Sequence, residues 1–235
     1  MKITDFHALE CIAALFKAAP SPENQAFLGT CFAFRRKTHF LTAAHCIGDL
    51  KENEILLAHP GAGQTFKASS VVRHPTADIA LIKVDSIESD QAQAFLSLKT
   101  KYGLGDDFKA FGFPEDVFGD EASQPVGRLF KGYFQRYFLR EGNSRYRYDA
   151  GEMNIACPGG LSGGPVFMGD RTWVVYGLVT ENLESTTFLH SVREIDMAGK
   201  VTREHYQNVI NYGVCLMLTE VKDWLDEHIP KSAES

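Results

Sequence analysis

The chain has 235 residues, of which 44% are hydrophobic and 23% charged, with a formal net charge of −6. These proportions are ordinary for a globular chain long enough to bury a core without staples. The acidic balance argues against a nucleic-acid or anionic-membrane surface as the main partner, and no run approaches the roughly 18 apolar residues that span a bilayer.

In chain order, the apolar stretch 8–19 is interrupted by Glu10 and Lys17 and preceded by Asp5, so it does not read as a secretory leader. Five sparse cysteines (Cys11, Cys31, Cys46, Cys157, Cys215) form no C-x-x-C pair. Together these features lead us to expect a reduced, cytoplasmic protein without a membrane segment. Short β-like runs separated by turn residues follow at 27–34, 39–44, 55–58, 69–73, 79–84, 107–112, 129–138 and 173–180. Strands at this density without alternating helices predict an antiparallel sandwich or barrel. Helical spacing of Val221, Trp224 and Leu225 before Pro230 predicts a helix over about 219–229, and a weaker helical or loop stretch covers 198–209. Residues from Lys231 onward read as a frayed tail. No repeat or long linker divides the chain.

Three segments carry chemistry. Leu41-Thr42-Ala43-Ala44-His45-Cys46 is a β-like run that ends on a histidine. His74-Pro75-Thr76-Ala77-Asp78-Ile79-Ala80-Leu81-Ile82-Lys83-Val84 places an aspartate at the mouth of an apolar strand, and Pro158-Gly159-Gly160-Leu161-Ser162-Gly163-Gly164-Pro165 sets a serine among glycines. Taken singly, these are a surface histidine, a turn aspartate and a loop. Taken together, they supply what a serine hydroxyl needs at neutral pH: a base, a group that fixes the base, and donors for an oxyanion.

Thr42-Ala43-Ala44-His45-Cys46, Asp78-Ile79-Ala80-Leu81-Ile82-Lys83 and Gly160-Leu161-Ser162-Gly163-Gly164-Pro165 resemble the signature blocks of the trypsin-like (chymotrypsin-fold) serine peptidase superfamily. Gly29-Thr30-Cys31-Phe32 resembles its first barrel strands, and 110–114 is similar to a strand and turn of its bacterial members. Residues 212–215 and 222–225 resemble its last strand and C-terminal helix. The resemblance implies an all-β fold of two antiparallel six-stranded barrels with a C-terminal helix. On that reading, 1–235 is a single peptidase domain, with barrels over about 1–100 and 101–218. It also implies the roles: Ser162 as nucleophile, His45 as general base and Asp78 as its orienting partner. The backbone N–H groups of Gly160 and Ser162 become the oxyanion hole, the substrate is a protein or peptide, and no metal or organic cofactor is needed. A catalytically silent, protease-like binding module is the alternative of another class. The pattern G-x-S-x-G at 160–164 also admits an α/β-hydrolase esterase, but Gly163-Gly164-Pro165 is a poor helix start.

Some positions depart from the digestive and clotting members. Leu161 stands where they carry an aspartate that pairs with a new N-terminus, so the chain is similar to the bacterial or intracellular branch and lacks that zymogen switch. Ala156 and Cys157 align with the base of the S1 pocket, and Val179, Thr180 and Glu181 with its wall. This favours a neutral or small pocket, which Glu181 would reverse. The stretch 182–211 exceeds the family's usual loop and reads as a lid, an exosite or a surface insertion. Cys31 and Cys46 are expected as free thiols, although relatives bridge the cysteine beside the histidine. The basic and aromatic residues of 128–148 are read as a hairpin rather than a nucleic-acid surface. Arg35-Arg36-Lys37 is read as a solvated turn, and His39, His45 and Cys46 lack a fourth metal ligand.

Overall fold

A computed structural model describes residues 11–19, 25–59, 64–87, 97–98, 102–115, 126–141, 145–169, 174–195 and 201–229. The predicted tail from Lys231 lies outside the described residues. The chain opens with β1 (Ile12–Lys17), β2 (Ala26–Phe34), β3 (Arg36–Thr42), the one-turn helix α1 (Ala44–Ile47), β4 (Ile55–His59), β5 (Gln64–Lys67), β6 (Ser70–Arg73) and β7 (Ala80–Lys83). It continues with β8 (Ser97–Leu98), β9 (Asp107–Gly112), β10 (Arg128–Arg140), β11 (Tyr148–Met153), β12 (Pro165–Met168), β13 (Val174–Ile195), β14 (Val201–Met217) and α2 (Lys222–His228).

The first seven strands pair in the order β5-β4-β1-β2-β3-β7-β6. Only residues 68 and 69 separate β5 from β6. Ala68 N–H bonds back to Ile55 O at the start of β4, while Ser69 N–H bonds to Lys83 O at the end of β7. β5 and β6 are therefore two halves of one bent strand that changes partner at its corner, and the sheet closes as a six-stranded antiparallel barrel. The second sheet closes through β12-β9-β10-β11-β14-β13 and a further β12–β13 pairing, with β8 added in parallel to β13. The fold is the expected all-β, two-barrel architecture with one short C-terminal helix.

Burial explains the strand that the sequence pattern hid. Ile12, Ala13, Ala14 and Leu15 are all buried, so β1 is apolar on both faces and shows no alternation. Phe32, Phe34, Phe40, Leu41, Ile55 and Leu57 complete the first barrel's core, and Phe108, Phe134, Met153, Val166, Tyr176 and Met217 pack the second.

Within 182–211, the described residues 182–195 and 201–211 are strand. β13 and β14 pair from Gly177↔Met217 out to Ile195↔Val201, with register shifts at Val179/Glu181 and Phe188/His190, so the predicted helix at 198–209 is corrected to strand from Val201 onward. Its two strands satisfy each other's backbone groups, which a helix among Val201, Tyr206, Val209 and Ile210 would do no better.

Arg35 also departs from the expected solvated turn. It occupies the tight β2–β3 turn at φ 57°, with its side chain only 10% exposed. Its guanidinium donates to the carbonyls of Leu225 (3.3 Å) and Ile229 (2.8 Å) and pairs with Asp226 at 2.5 Å. A cation thus caps the C-terminal end of α2, whose Trp224 and Leu225 are buried beneath it. Arg35→Ala is expected to cost about 2–4 kcal/mol, since it strips charged hydrogen bonds from a part-buried helix end. Urea unfolding checks this, and a loss below about 0.5 kcal/mol contradicts the clamp.

Candidate active site

The three chemical segments meet where the barrels touch. β3 ends at Thr42, and α1 follows at once, placing His45 at the barrel rim with its side chain 42% exposed. Asp78 stands in the turn before β7, its side chain only 6% exposed. Its two carboxylate oxygens serve two donors: Oδ2 lies 2.7 Å from His45 Nδ1, and Oδ1 accepts the backbone N–H of His45 at 2.9 Å.

The turn holding Asp78 is shaped by His74, a residue the sequence reading quoted without a role. Its Nδ1 accepts the N–H groups of Thr76 (3.2 Å) and Ala77 (2.8 Å), and its ring meets Trp224 of α2 edge-on at 5.4 Å. Burial, then the charge of His228, hold His74 below its ordinary pKa, which keeps the accepting nitrogen unprotonated.

Burial alone would lower the pKa of His45, but the hydrogen bond to Asp78, with the Cys46 thiol behind it, outweighs burial and raises it above 6.5. Cys46 Sγ lies 3.7 Å from His45 Nε2 and 3.6 Å from the carbonyl oxygen of Ser162. None of the five cysteines forms a disulfide. A Cβ at Gly29 would sit 2.9 Å from Cys46 Sγ, so Gly29, rather than Cys31, faces that thiol across the strands.

The serine loop is docked on the first barrel by Thr30 of β2, which is fully buried. Thr30 N–H donates to Ser162 O (2.9 Å), and Thr30 Oγ1 donates to Gly160 O (2.8 Å) while accepting Phe113 N–H (3.1 Å). Thr42 Oγ1 in turn donates to Thr30 O at 2.8 Å. Gly159 O accepts Glu115 N–H (2.8 Å), and Leu161 O accepts Gly164 N–H (2.9 Å). In a planar trans peptide the N–H points opposite to the C=O, so the N–H groups of Gly160 and Ser162 are turned away from those partners. Among the described residues neither donates to another backbone carbonyl. Gly160 has φ +87°, and a Cβ there would overlap Phe113 O.

Ser162 Oγ donates to the carbonyl oxygen of Thr180 at 3.1 Å, and among the described residues it has no bond to His45 Nε2. That carbonyl is available because the β13–β14 register slips between Val179 and Glu181, which frees Thr180 from the ladder. The other predicted pocket residues lie around it. Ala156 is exposed, and Cys157 and Val179 are buried. Glu181 is gripped through both carboxylate oxygens by Arg140 (2.6 and 3.0 Å) and receives Tyr148 OH at 3.3 Å. The sequence reading missed Asn182, whose carboxamide accepts Cys157 N–H at 2.7 Å and donates to Cys157 O at 2.5 Å. Burial pushes the Cys157 thiol up to about 12, which leaves it unreactive at neutral pH. Among the described residues no three His, Cys, Asp or Glu side chains are grouped to hold a metal ion, and no helix is long and apolar enough to cross a membrane.

The serine is followed by Gly163, Gly164 and strand β12 rather than by a helix, so the α/β-hydrolase reading of 160–164 fails on the fold. A family profile described as a trypsin-like peptidase domain matches residues 29–178, a span that contains His45, Asp78 and Ser162. No curated protein sequence matches the chain. Among solved structures, the chain is similar to the active form of the Rv3671c protease from M. tuberculosis, at 17% identity and TM-score 0.64, over 97% of this chain and 84% of that one. It is similar to the HtrA-type protease AlgW with a decapeptide, at 16% identity and TM-score 0.64, over 96% of this chain and 66% of that one. The MamO protease domain from Magnetospirillum magneticum is similar at 15% identity and TM-score 0.60, over 94% of this chain and 97% of that one. At such identities these likenesses concern the fold alone.

Proposed function

Because the chain belongs to the trypsin-like peptidase domain family, we propose that it is a serine endopeptidase acting through an acyl-enzyme on Ser162. The observation that carries this reading is the two-point grip of buried Asp78 on His45. With Nδ1–H held by Oδ2, the lone pair of Nε2 is the one left to accept a proton. Rotation about χ1 takes Ser162 Oγ from Thr180 O toward Nε2; Oγ then attacks the scissile carbonyl carbon as its proton passes to His45. The tetrahedral oxyanion is held by the N–H groups of Gly160 and Ser162. It collapses to the ester as His45 returns the proton to the departing amine. Water then repeats the sequence and frees Ser162. A protein or peptide substrate is supported by the decapeptide bound to the similar AlgW.

The Ser162–Thr180 bond is the observation that favours the silent binding module, and the burst phase separates the two readings. A nitrophenyl peptide ester is expected to release one equivalent of nitrophenol per wild-type chain and none from Ser162→Ala. Folded wild-type protein that shows neither burst nor turnover overturns the peptidase reading.

The base must be neutral to accept the serine proton, and Asp78 stabilises its protonated form. Accordingly kcat/KM is expected to rise with pH through an apparent pKa above 6.5. The same raised pKa adds stability that is complete below about pH 6.5 and fades as pH climbs through the folded-state value. An acid limb centred below 6.5 in the pH–kcat/KM profile contradicts the pairing.

A further inference from the structure

On the peptidase reading, a P1 side chain would enter between two lengths of main chain, 155–157 and 180–182. In this protein those lengths are tied together. The Asn182 carboxamide crosses from β13 to Cys157, accepting its N–H at 2.7 Å and donating to its C=O. At the inner end, Gly213 N–H donates to Ile155 O at 2.6 Å, and the Cys157 side chain fills the floor so closely that a Cβ on Gly213 would overlap Cys157 Sγ. Both ends of the slot are therefore occupied by the protein's own groups. Glu181, the residue before Asn182, spends both oxygens on Arg140 and offers no free carboxylate to a cationic side chain.

We infer that Asn182 is the specificity-determining residue of this site: it closes the S1 slot and restricts cleavage to bonds after small uncharged residues, glycine, alanine or serine. This rests on the peptidase reading. A larger side chain has to displace both Asn182 bonds and strand the buried Cys157 N–H, and a site holding such polar groups rejects misfits more strongly than an apolar pocket does.

The test is kcat/KM on a series of otherwise identical fluorogenic peptides with Ala, Leu, Phe or Arg at P1, using the full chain. Wild type is expected to prefer Ala over Leu, Phe and Arg by about 30-fold or more. Asn182→Gly, which removes the bridge, is expected to raise the Phe-to-Ala and Leu-to-Ala ratios by about 10-fold or more, with Arg gaining less. Asn182→Ala serves the same purpose if the glycine variant melts early. Wild type that handles Phe, Leu or Arg as well as Ala overturns the closed slot, as do unchanged ratios in both variants; either result leaves the peptidase reading standing. No turnover of any peptide, with no ester burst, overturns the peptidase reading itself.

Discussion

Asp78→Asn is expected to lower kcat/KM by roughly four orders of magnitude, the scale usual for this change in serine-peptidase triads. The size follows from the geometry here. Two donors divide the carboxylate of Asp78 between them: His45 N–H faces Oδ1, and Nδ1 faces Oδ2. An asparagine can satisfy the fixed backbone N–H only by turning its carbonyl oxygen to that side. Its NH2 then faces Nδ1 and donates to it, so the ring proton moves to Nε2, the atom that has to accept from Ser162. The imidazole keeps its place but presents the wrong tautomer. Peptide kinetics with a parallel melting curve check this, and a loss below about 100-fold with folding intact contradicts the assigned base.

Gly163→Ala is expected to be the most damaging single methyl near the site for stability. Gly163 sits at φ +82°, which costs an L residue about 1–2 kcal/mol. The added Cβ would overlap Thr30 O and Thr42 Oγ1, both buried in the joint between the barrels, and meet Ala43 N at 3.0 Å. Neither oxygen can yield without breaking the Thr42–Thr30 bond, so overpacking adds about 1–3 kcal/mol. Gly163 N–H also donates to Val179 O at 2.7 Å, so relief by a loop shift displaces Ser162. The variant is expected to melt about 10 °C lower and to turn over peptide poorly. A change in Tm below about 2 °C contradicts the tight docking of the serine loop.

What the sequence exposes, and what it hides, follows from how far each role reaches along the chain. His45, Asp78 and Ser162 are conspicuous because their chemistry demands particular residue types in local settings: a strand end, a turn, a glycine loop. The all-β class was legible from short β runs and the two-barrel arrangement from the resemblance of the motifs, whereas β1 was not legible, since a strand buried on both faces loses its period of two. Thr30 and Arg35 were invisible in function because their partners lie 130 and up to 194 residues away. Asn182 was missed for the same reason at a shorter range, its partner Cys157 being 25 residues earlier. The outer part of the β13–β14 ribbon, beyond Leu183 on one strand and before Tyr212 on the other, misled the pattern because its described side chains are exposed on both faces, so neither helical nor strand periodicity stands out.

The measurement that bears most directly on Ser162 as an activated nucleophile is labelling by a fluorophosphonate probe, read by intact mass and peptide mapping. Phosphonylation requires a serine whose proton a base removes and whose attack donors can assist. The expected result is one adduct per wild-type chain, located on Ser162, absent from Ser162→Ala and strongly slowed in His45→Ala. A folded wild-type protein that stays unlabelled, or an adduct on another residue that survives Ser162→Ala, would contradict the assignment of Ser162 as the nucleophile.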